Sequence, residues 1–323
     1  MKIGLLDLGR KRQGKIFPNF ALMKISTYHK SIGNTVEWYS QCEAEIKPYD
    51  VVYVSKIFSF VPDYPYFIKA KKVIYGGTGY YLNRVLPQAI ESCLPDYSIY
   101  PEVDYAIGFL TRGCVNNCYF CCVPKKEGKI RPYDSWQRIK RPDSREIVFM
   151  DNNVLASEYG IRQMQSMVGQ DIRIDFNQGM DCMRVDERTA KIMAGLNWLR
   201  FIRFSCDKEY QMSYIEKAVN LLEQYGSRAE IFVYVLGTTM ESTEKRVEFL
   251  RELQVKPFIQ PYREIGSNKP VDREMQAYAR YVNMTAVFKT VSWHEYKANI
   301  WKRVGEDNEI VDAFKSVQRD RRN

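Results

Sequence analysis

Four of the chain's eight cysteines fall within nine positions, at Cys114, Cys118, Cys121 and Cys122. The first three are spaced C-x3-C-x2-C. In a reducing compartment a tight group of this kind reads as a metal site, not as a disulfide framework. A structural zinc site wants four ligands, commonly two C-x2-C pairs or added histidines. The chain has two histidines, His29 and His294, and neither is local. Cys122 is a poor fourth ligand, because adjacent side chains on an extended loop point apart. A four-iron cluster takes one cysteine per iron. Three cysteines therefore leave one iron open to a substrate or cofactor. The remaining cysteines, Cys42, Cys93, Cys182 and Cys206, are scattered and read as small buried apolar residues.

Such a loop needs elements to hold it. The first ~95 residues alternate strand and helix. Met1 to Leu8, Thr35 to Tyr39, Asp50 to Val54 and Lys72 to Tyr75 read as strands. Leu22, Ile25, Tyr28 and Ile32 recur at helical spacing, with Pro18 near the start and Gly33 at the stop. These are βαβ units of a doubly wound sheet. A second series gives strands over Tyr105–Leu110, Glu146–Met150, Ile172–Phe176, Arg200–Phe204, Ile231–Leu236 and Lys256–Gln260. Helices are expected over Arg188–Leu196, Tyr214–Tyr225 and Glu244–Leu253, with a weaker one near Ile161–Met167. Six βα units in ~160 residues suggest an open parallel barrel, since a closed one needs about 250. The expected organisation is α/β. It comprises a Rossmann-like domain over 1–95, a linker over 96–104, a partial (β/α)6 barrel over 105–290 and a helical, basic tail over 291–323.

The active site of a barrel lies at the carboxyl ends of its strands. The cysteine loop follows the first barrel strand. The later strands end in Asp151-Asn152-Asn153, Asn177-Gln178-Gly179, Ser205 with Asp207, Gly237-Thr238-Thr239, and Gln260 with Tyr262 and Arg263. One polar strand end means little. Five in series, beside a cysteine cluster, form a constellation.

C-x3-C-x2-C, with Phe120 before the last cysteine, resembles the cluster motif of the radical S-adenosylmethionine (SAM) enzymes. The resemblance implies a [4Fe–4S] cluster on Cys114, Cys118 and Cys121. Its unique iron would chelate SAM, and reduction would release a 5′-deoxyadenosyl radical that abstracts hydrogen from a substrate. It also implies an external electron donor of the flavodoxin or ferredoxin type. By the same resemblance Asp151, Asn152 and Asn153 stand where the methionine amino group is held. The family often shows Gly-Gly-Glu there. Asn177, Gln178 and Ser205 stand where ribose or carboxylate is met, and the backbone at Leu236 and Gly237 flanks the adenine. Tyr262 and Arg263 are candidates to face substrate.

The domain order resembles the radical SAM subgroup with an N-terminal cobalamin-binding-like domain. Gly76-Gly77-x-Gly79 after the fourth strand is compatible with close approach of a ligand. Many such domains carry Asp-x-His-x-x-Gly after the first strand. This chain reads DLGRKRQG from Asp7 to Gly14, without the histidine. A cobalamin-dependent methyltransferase stays an alternative to a domain that only caps the barrel or holds substrate. The methylthiotransferases that act on tRNA share the order but need three more cysteines, where this chain has Cys42 and Cys93.

The net charge is +9. Between Lys125 and Arg145 there are eight Lys/Arg and three Asp/Glu, with Tyr133 and Trp136 among them. Cations with aromatics suit phosphate contact and base stacking, which points to a nucleotide or nucleic acid. A solvated lysine-rich loop is the competing reading. RKRQGK near the start and RDRRN at the end add to the positive field. A non-enzymatic, metal-stabilised nucleic-acid-binding protein is the alternative from a different class. No run of about 18 apolar residues occurs, and MKIGLLDLGRKRQGK lacks the order of a signal peptide. A cytoplasmic protein without a membrane span is expected.

Overall fold

The computed structural model describes residues 1–10, 17–264, 267 and 269–298. Most of the basic RKRQGK stretch and the RDRRN end lie outside the described residues. So does most of the expected C-terminal tail.

The protein is a mixed α/β structure built on parallel sheets. Strands β1 (Lys2–Asp7), β2 (Thr35–Trp38), β3 (Tyr49–Ser55) and β4 (Ala70–Gly76) form one sheet in the order β2-β1-β3-β4. All three pairings are parallel. The helix Phe20–Ser31 connects β1 to β2. Asn19, not Pro18, caps it, accepting from the Leu22 amide at 3.2 Å. Gly33 ends it at φ +76°, a left-handed position that suits glycine. Ile3 and Leu5 of β1 alternate inward with Leu22, Met23 and Ile25 of the helix, and all five are buried.

The next strands are β5 (Ala106–Gly108), β6 (Thr111–Arg112), β7 (Arg131–Pro132), β8 (Glu146–Phe149) and β9 (Arg173–Phe176). Strands β5, β8 and β9 form a parallel sheet in that order, and β6 with β7 an antiparallel hairpin. Phe149 and Phe176 are register partners whose rings stack at 5.0 Å. The chain continues through β10 (Phe201–Ser205), β11 (Glu230–Gly237) and β12 (Lys256–Pro261). Parallel bridges join Ile174 to Trp198 and Met180 to Phe204. Strands β11 and β12 pair in parallel from Phe232↔Lys256 to Gly237↔Pro261.

Two compact units result. One contains Met1–Phe204, Ser213–Ile231 and Arg263–Lys269. The other contains Ser205–Met212, Phe232–Tyr262 and the described residues from Pro270 on. The first unit therefore spans both the N-terminal sheet and the β5-β8-β9 sheet. The segment 96–104, expected as a linker, is packed. Tyr100 is fully buried, and its hydroxyl donates to Asp7 Oδ2 at 2.7 Å. Trp38 Nε1 donates to the Ile99 carbonyl, and the Tyr97 hydroxyl accepts from the Ile107 amide. Tyr100, Val103 and Ile107 share one apolar cluster with Leu5 and Met150. Burying a side chain of this size is worth about 2–3 kcal/mol, enough to turn a connector into core. Among the described residues, no helix is long and apolar enough to cross a membrane.

Candidate functional site

The cysteine loop is a long excursion between β6 and β7. Its base is closed by Thr111↔Pro132 and Arg112↔Arg131, then by the Cys114 amide donating to the Gly128 carbonyl at 3.2 Å. Gly113 sits at φ +87°, and a Cβ there would lie 2.4 Å from the Lys129 carbonyl oxygen. Only glycine lets the two arms of the loop meet so closely. The loop ends in a short helix, Val123–Glu127, with Cys122 at its N-cap and a proline in its first turn.

Glu127 ties that helix back to the hairpin. Its carboxylate accepts Arg112 at 3.0 and 2.6 Å, the Gly113 amide at 3.0 Å and Asn152 Nδ2 at 2.9 Å. Burial works against the charged form. The Arg112 fork and the amide outweigh it and hold Glu127 below the usual carboxylate range.

The sulfurs sit among donors. The Asn116 amide donates to Cys114 Sγ and the Val123 amide to Cys121 Sγ, both at 3.4 Å. Asn153 Nδ2 donates to Cys114 Sγ at 3.6 Å. The Cys121 amide bonds the Cys118 carbonyl, so those two residues share one turn. Burial pushes the Cys121 thiol up to about 11, and the neighbouring sulfurs of Cys122, Cys118 and Cys114 push the same way. A bare thiolate is disfavoured there, and a bound cationic centre would relieve that. Among the described residues, no three Cys, His, Asp or Glu groups come together tightly enough for one metal ion. A [4Fe–4S] cluster would take its cysteines one per iron. Three half-buried cysteines with amide donors on two sulfurs are a donor set suited to it. Phe120 stands edge-on to Tyr119, with ring centroids 5.2 Å apart.

All three side chains after β8 are tied to other parts of the chain. Asp151 is 1% exposed. Its carboxylate accepts the Leu110 amide at 2.9 Å, the Thr111 amide at 2.6 Å and the Thr111 hydroxyl at 2.7 Å. Burial nonetheless pushes it up to about 6, against the pull of those donors. Asp151 therefore anchors the base of the cysteine loop. Asn152 reaches Glu127, as above. Asn153 is 2% exposed, and its Nδ2 faces Cys114 and Asp181. Its Oδ1 is buried with no hydrogen-bond partner. The two acceptors facing Nδ2 fix the amide orientation, so the unpartnered atom is the oxygen. A buried acceptor left open costs about 1–3 kcal/mol, which a bound donor would recover.

Asp181 is a site residue that the sequence reading did not single out. It accepts Asn116 Nδ2 at 3.0 Å and Asn153 Nδ2 at 3.3 Å, and pairs with Arg184 at 3.3 Å. It thus links the cysteine loop to the ends of both β8 and β9. The available signal was its position, one residue beyond Gly179-Met180 at a strand end. The first two residues of the same strand end are less deeply placed. Asn177 is half-buried, with its amide on the Phe149 carbonyl, and Gln178 is exposed. Within β9, Asp175 takes a bidentate bond from Arg203 at 2.7 and 2.8 Å.

Ser205, Leu236, Gly237 and Tyr262 belong to the second unit. There the Leu236 amide donates to Asp207 Oδ1 at 3.2 Å, and the Tyr262 amide to the Gly237 carbonyl at 2.8 Å. A Cβ on Gly237 would meet Met275 Sδ at 2.6 Å. Arg246, also not singled out from sequence, is fully buried. It donates to the carbonyls of Cys206, Leu236 and Ser242. Arg263 lies in the first unit, over the Phe60 ring at 4.8 Å.

Two expected features have internal roles. Trp136 is buried and donates to Ser166 Oγ at 2.9 Å. Tyr133 donates to Glu91 and lies beside the buried Lys24 and Arg112. Neither ring presents a face for a base. In the Gly76-Gly77-x-Gly79 turn, Cβ atoms on Gly77 and Gly79 would strike Lys56 and Phe58. The close approach there is made by the chain itself. No protein-family model and no curated protein matches the chain.

Proposed function

We propose that the chain is a radical SAM enzyme, with a Rossmann-like N-terminal domain ahead of a partial (β/α)6 barrel. Cys114, Cys118 and Cys121 would each hold one iron of a [4Fe–4S] cluster. When bound and reduced, such a cluster cleaves SAM to methionine and a 5′-deoxyadenosyl radical that abstracts hydrogen from a substrate. The observation that carries the reading is the surroundings of Cys114. Its sulfur receives the Asn116 amide and Asn153 Nδ2, while Asn153 Oδ1, buried beside it, lacks a donor.

The chain's own groups divide the work. The amides of Asn116 and Val123 draw charge from two ligand sulfurs, which favours the reduced state. Asn153 Oδ1 can accept from an ammonium group but cannot donate, so it selects the amino end of SAM. Of the three residues after β8, Asn153 takes this part, because Asp151 holds the loop base and Asn152 holds Glu127. Asp181 keeps Asn153 and Asn116 in place. The reading needs an external one-electron donor of the flavodoxin or ferredoxin type.

The test is product analysis. The protein is purified without oxygen, reconstituted with iron and sulfide, and given reductant and SAM. 5′-Deoxyadenosine should form, depend on the reductant, and vanish in Cys114→Ala, Cys118→Ala and Cys121→Ala. Cys122→Ala should keep the cluster. A colourless zinc protein, or a cluster that binds no SAM, would refute the reading.

A further inference from the structure

The hairpin that carries the cysteine loop is strongly cationic. Residues 111–133 hold Arg112, Lys125, Lys126, Lys129 and Arg131 against one acid, Glu127. That acid is engaged internally. It accepts Arg112, the Gly113 amide and Asn152, and its side chain is only 11% exposed. Lys125, Lys129 and Arg131 are exposed. Lys126 Nζ reaches the Leu82 and Arg84 carbonyls at 3.4 Å. This brings a second segment, 80–87, against the short helix Val123–Glu127. That segment holds no acid, and its one cation, Arg84, is exposed. Four exposed cations thus meet no exposed acid on either segment.

These cations stand close to the ligand cysteines. Lys125 is three residues beyond Cys122. The Cys114 amide bonds the Gly128 carbonyl, and a Cβ on Gly113 would lie 2.4 Å from the Lys129 carbonyl oxygen. The loop between the cysteines also reaches solvent, with Val115 47% and Tyr119 65% exposed. Apolar contact at the centre with charge at the rim is the anatomy of a protein interface. Nucleic acid fits less well. Tyr133 and Trp136, the rings among these cations, turn inward to Glu91 and Ser166, so the stretch offers charge without a row of stacking faces.

We propose that this surface docks a small acidic redox protein, the one-electron donor that the cluster reading requires. The inference rests on that reading and adds the face on which the donor arrives. One electron leaves the donor and enters the cluster, and no other group is consumed. Lys125 and Lys129 act on the approach, because opposite charge raises the encounter rate and fixes orientation. Neither takes part in the contact proposed for SAM at Asn153.

The test uses a flavodoxin of net negative charge as the probe and the anaerobically reconstituted full chain. Complex formation is measured by biolayer interferometry and cluster reduction by stopped flow, each at low and high salt. In Lys125→Gln/Lys129→Gln, affinity and reduction rate should both fall about tenfold at low salt, and the difference should shrink at high salt. Reduction by dithionite, which needs no docking surface, should change little. Both lysines are exposed, so the melting temperature should not move. Lys72→Gln/Lys217→Gln, the same change of charge on other elements, should bind flavodoxin as the parent does. Unchanged flavodoxin affinity in Lys125→Gln/Lys129→Gln would overturn the proposal. So would an equal loss in Lys72→Gln/Lys217→Gln, since net charge alone would then explain the effect. A Lys125→Gln/Lys129→Gln chain that loses oligo(U) binding and keeps flavodoxin binding would overturn it in favour of a nucleic-acid surface. A parent whose iron dithionite cannot reduce would refute the cluster reading instead, and the flavodoxin-binding arm tells the two failures apart.

Discussion

The ends of β8 and β9 invite comparison because they start alike. The strands are parallel neighbours in register, with Phe149 opposite Phe176, so the residues after them leave the same edge of one sheet. Both ends read Asn-rich and polar. Yet after β8 all three side chains are tied to the chain, through Asp151 to Thr111, Asn152 to Glu127 and Asn153 to Cys114. After β9, Gln178 is exposed, and Asp181, three residues further on, is buried and tied to the cysteine loop. A polar strand end can therefore build a site or merely border it. Burial and donor supply decide which.

The contrast breaks most visibly at Asp151. Asp151→Ala leaves two amides and a hydroxyl of the loop base without acceptors in a fully buried place. At about 1–3 kcal/mol for each orphaned group, the loss should be about 4 kcal/mol, large for one substitution. Urea unfolding of parent and variant measures it. A loss under about 1 kcal/mol would mean that water replaces the carboxylate.

The same residue carries a pH dependence of definite sign. Its folded value is raised from the ordinary 3.8 to about 6. A raised carboxylate contributes stability in full below the unfolded value and loses it as pH rises through the folded one. The gap in unfolding free energy between the parent and Asp151→Asn should therefore narrow between pH 4 and pH 6. The shift corresponds to about 3 kcal/mol, so the narrowing should not exceed that. A gap that widens across this window would show that the three donors, not burial, set the titration.

A milder change is expected at Asn153. Asn153→Ala removes the side-chain donor to Cys114 but leaves the Asn116 amide in place. The fold should lose about 1 kcal/mol, the net worth of an ordinary hydrogen bond. SAM affinity should fall about tenfold, in keeping with a lost charge-assisted bond to the ammonium. The cluster potential should move to a more negative value, read by a spectroscopic redox titration. An unmoved potential would remove Asn153 from the sulfur's surroundings.

How far the sequence could be read follows the range of the interactions. Every strand expected from periodicity is present within two residues at each end, because alternation and apolar runs are local. The cysteine loop was legible for the same reason. Partners were not. Asp181 meets Asn116 across 65 positions, and Tyr100 meets Asp7 across 93. No spacing rule reaches that far. Two prolines and poor periodicity over residues 94–105 mark irregular backbone, and from them the segment 96–104 reads as a linker. They do not say whether irregular backbone is buried. Trp136 and Tyr133 show the reverse case, where a basic stretch looked exposed throughout but folds its two rings inward.

Gln178 gives the finest discrimination between the two strand ends. It is exposed, so Gln178→Ala should change unfolding free energy by no more than about 0.5 kcal/mol. A stability measurement alone would then call it inert. A ligand contact, however, needs no role in the fold, and an exposed side chain at a strand end is free to make one on binding. SAM titration of the same variant separates the two. A fall of several-fold with an unmoved melting temperature would make β9 a second ligand-facing end beside that of β8. No change in either quantity would remove Gln178 from the proposed SAM contact.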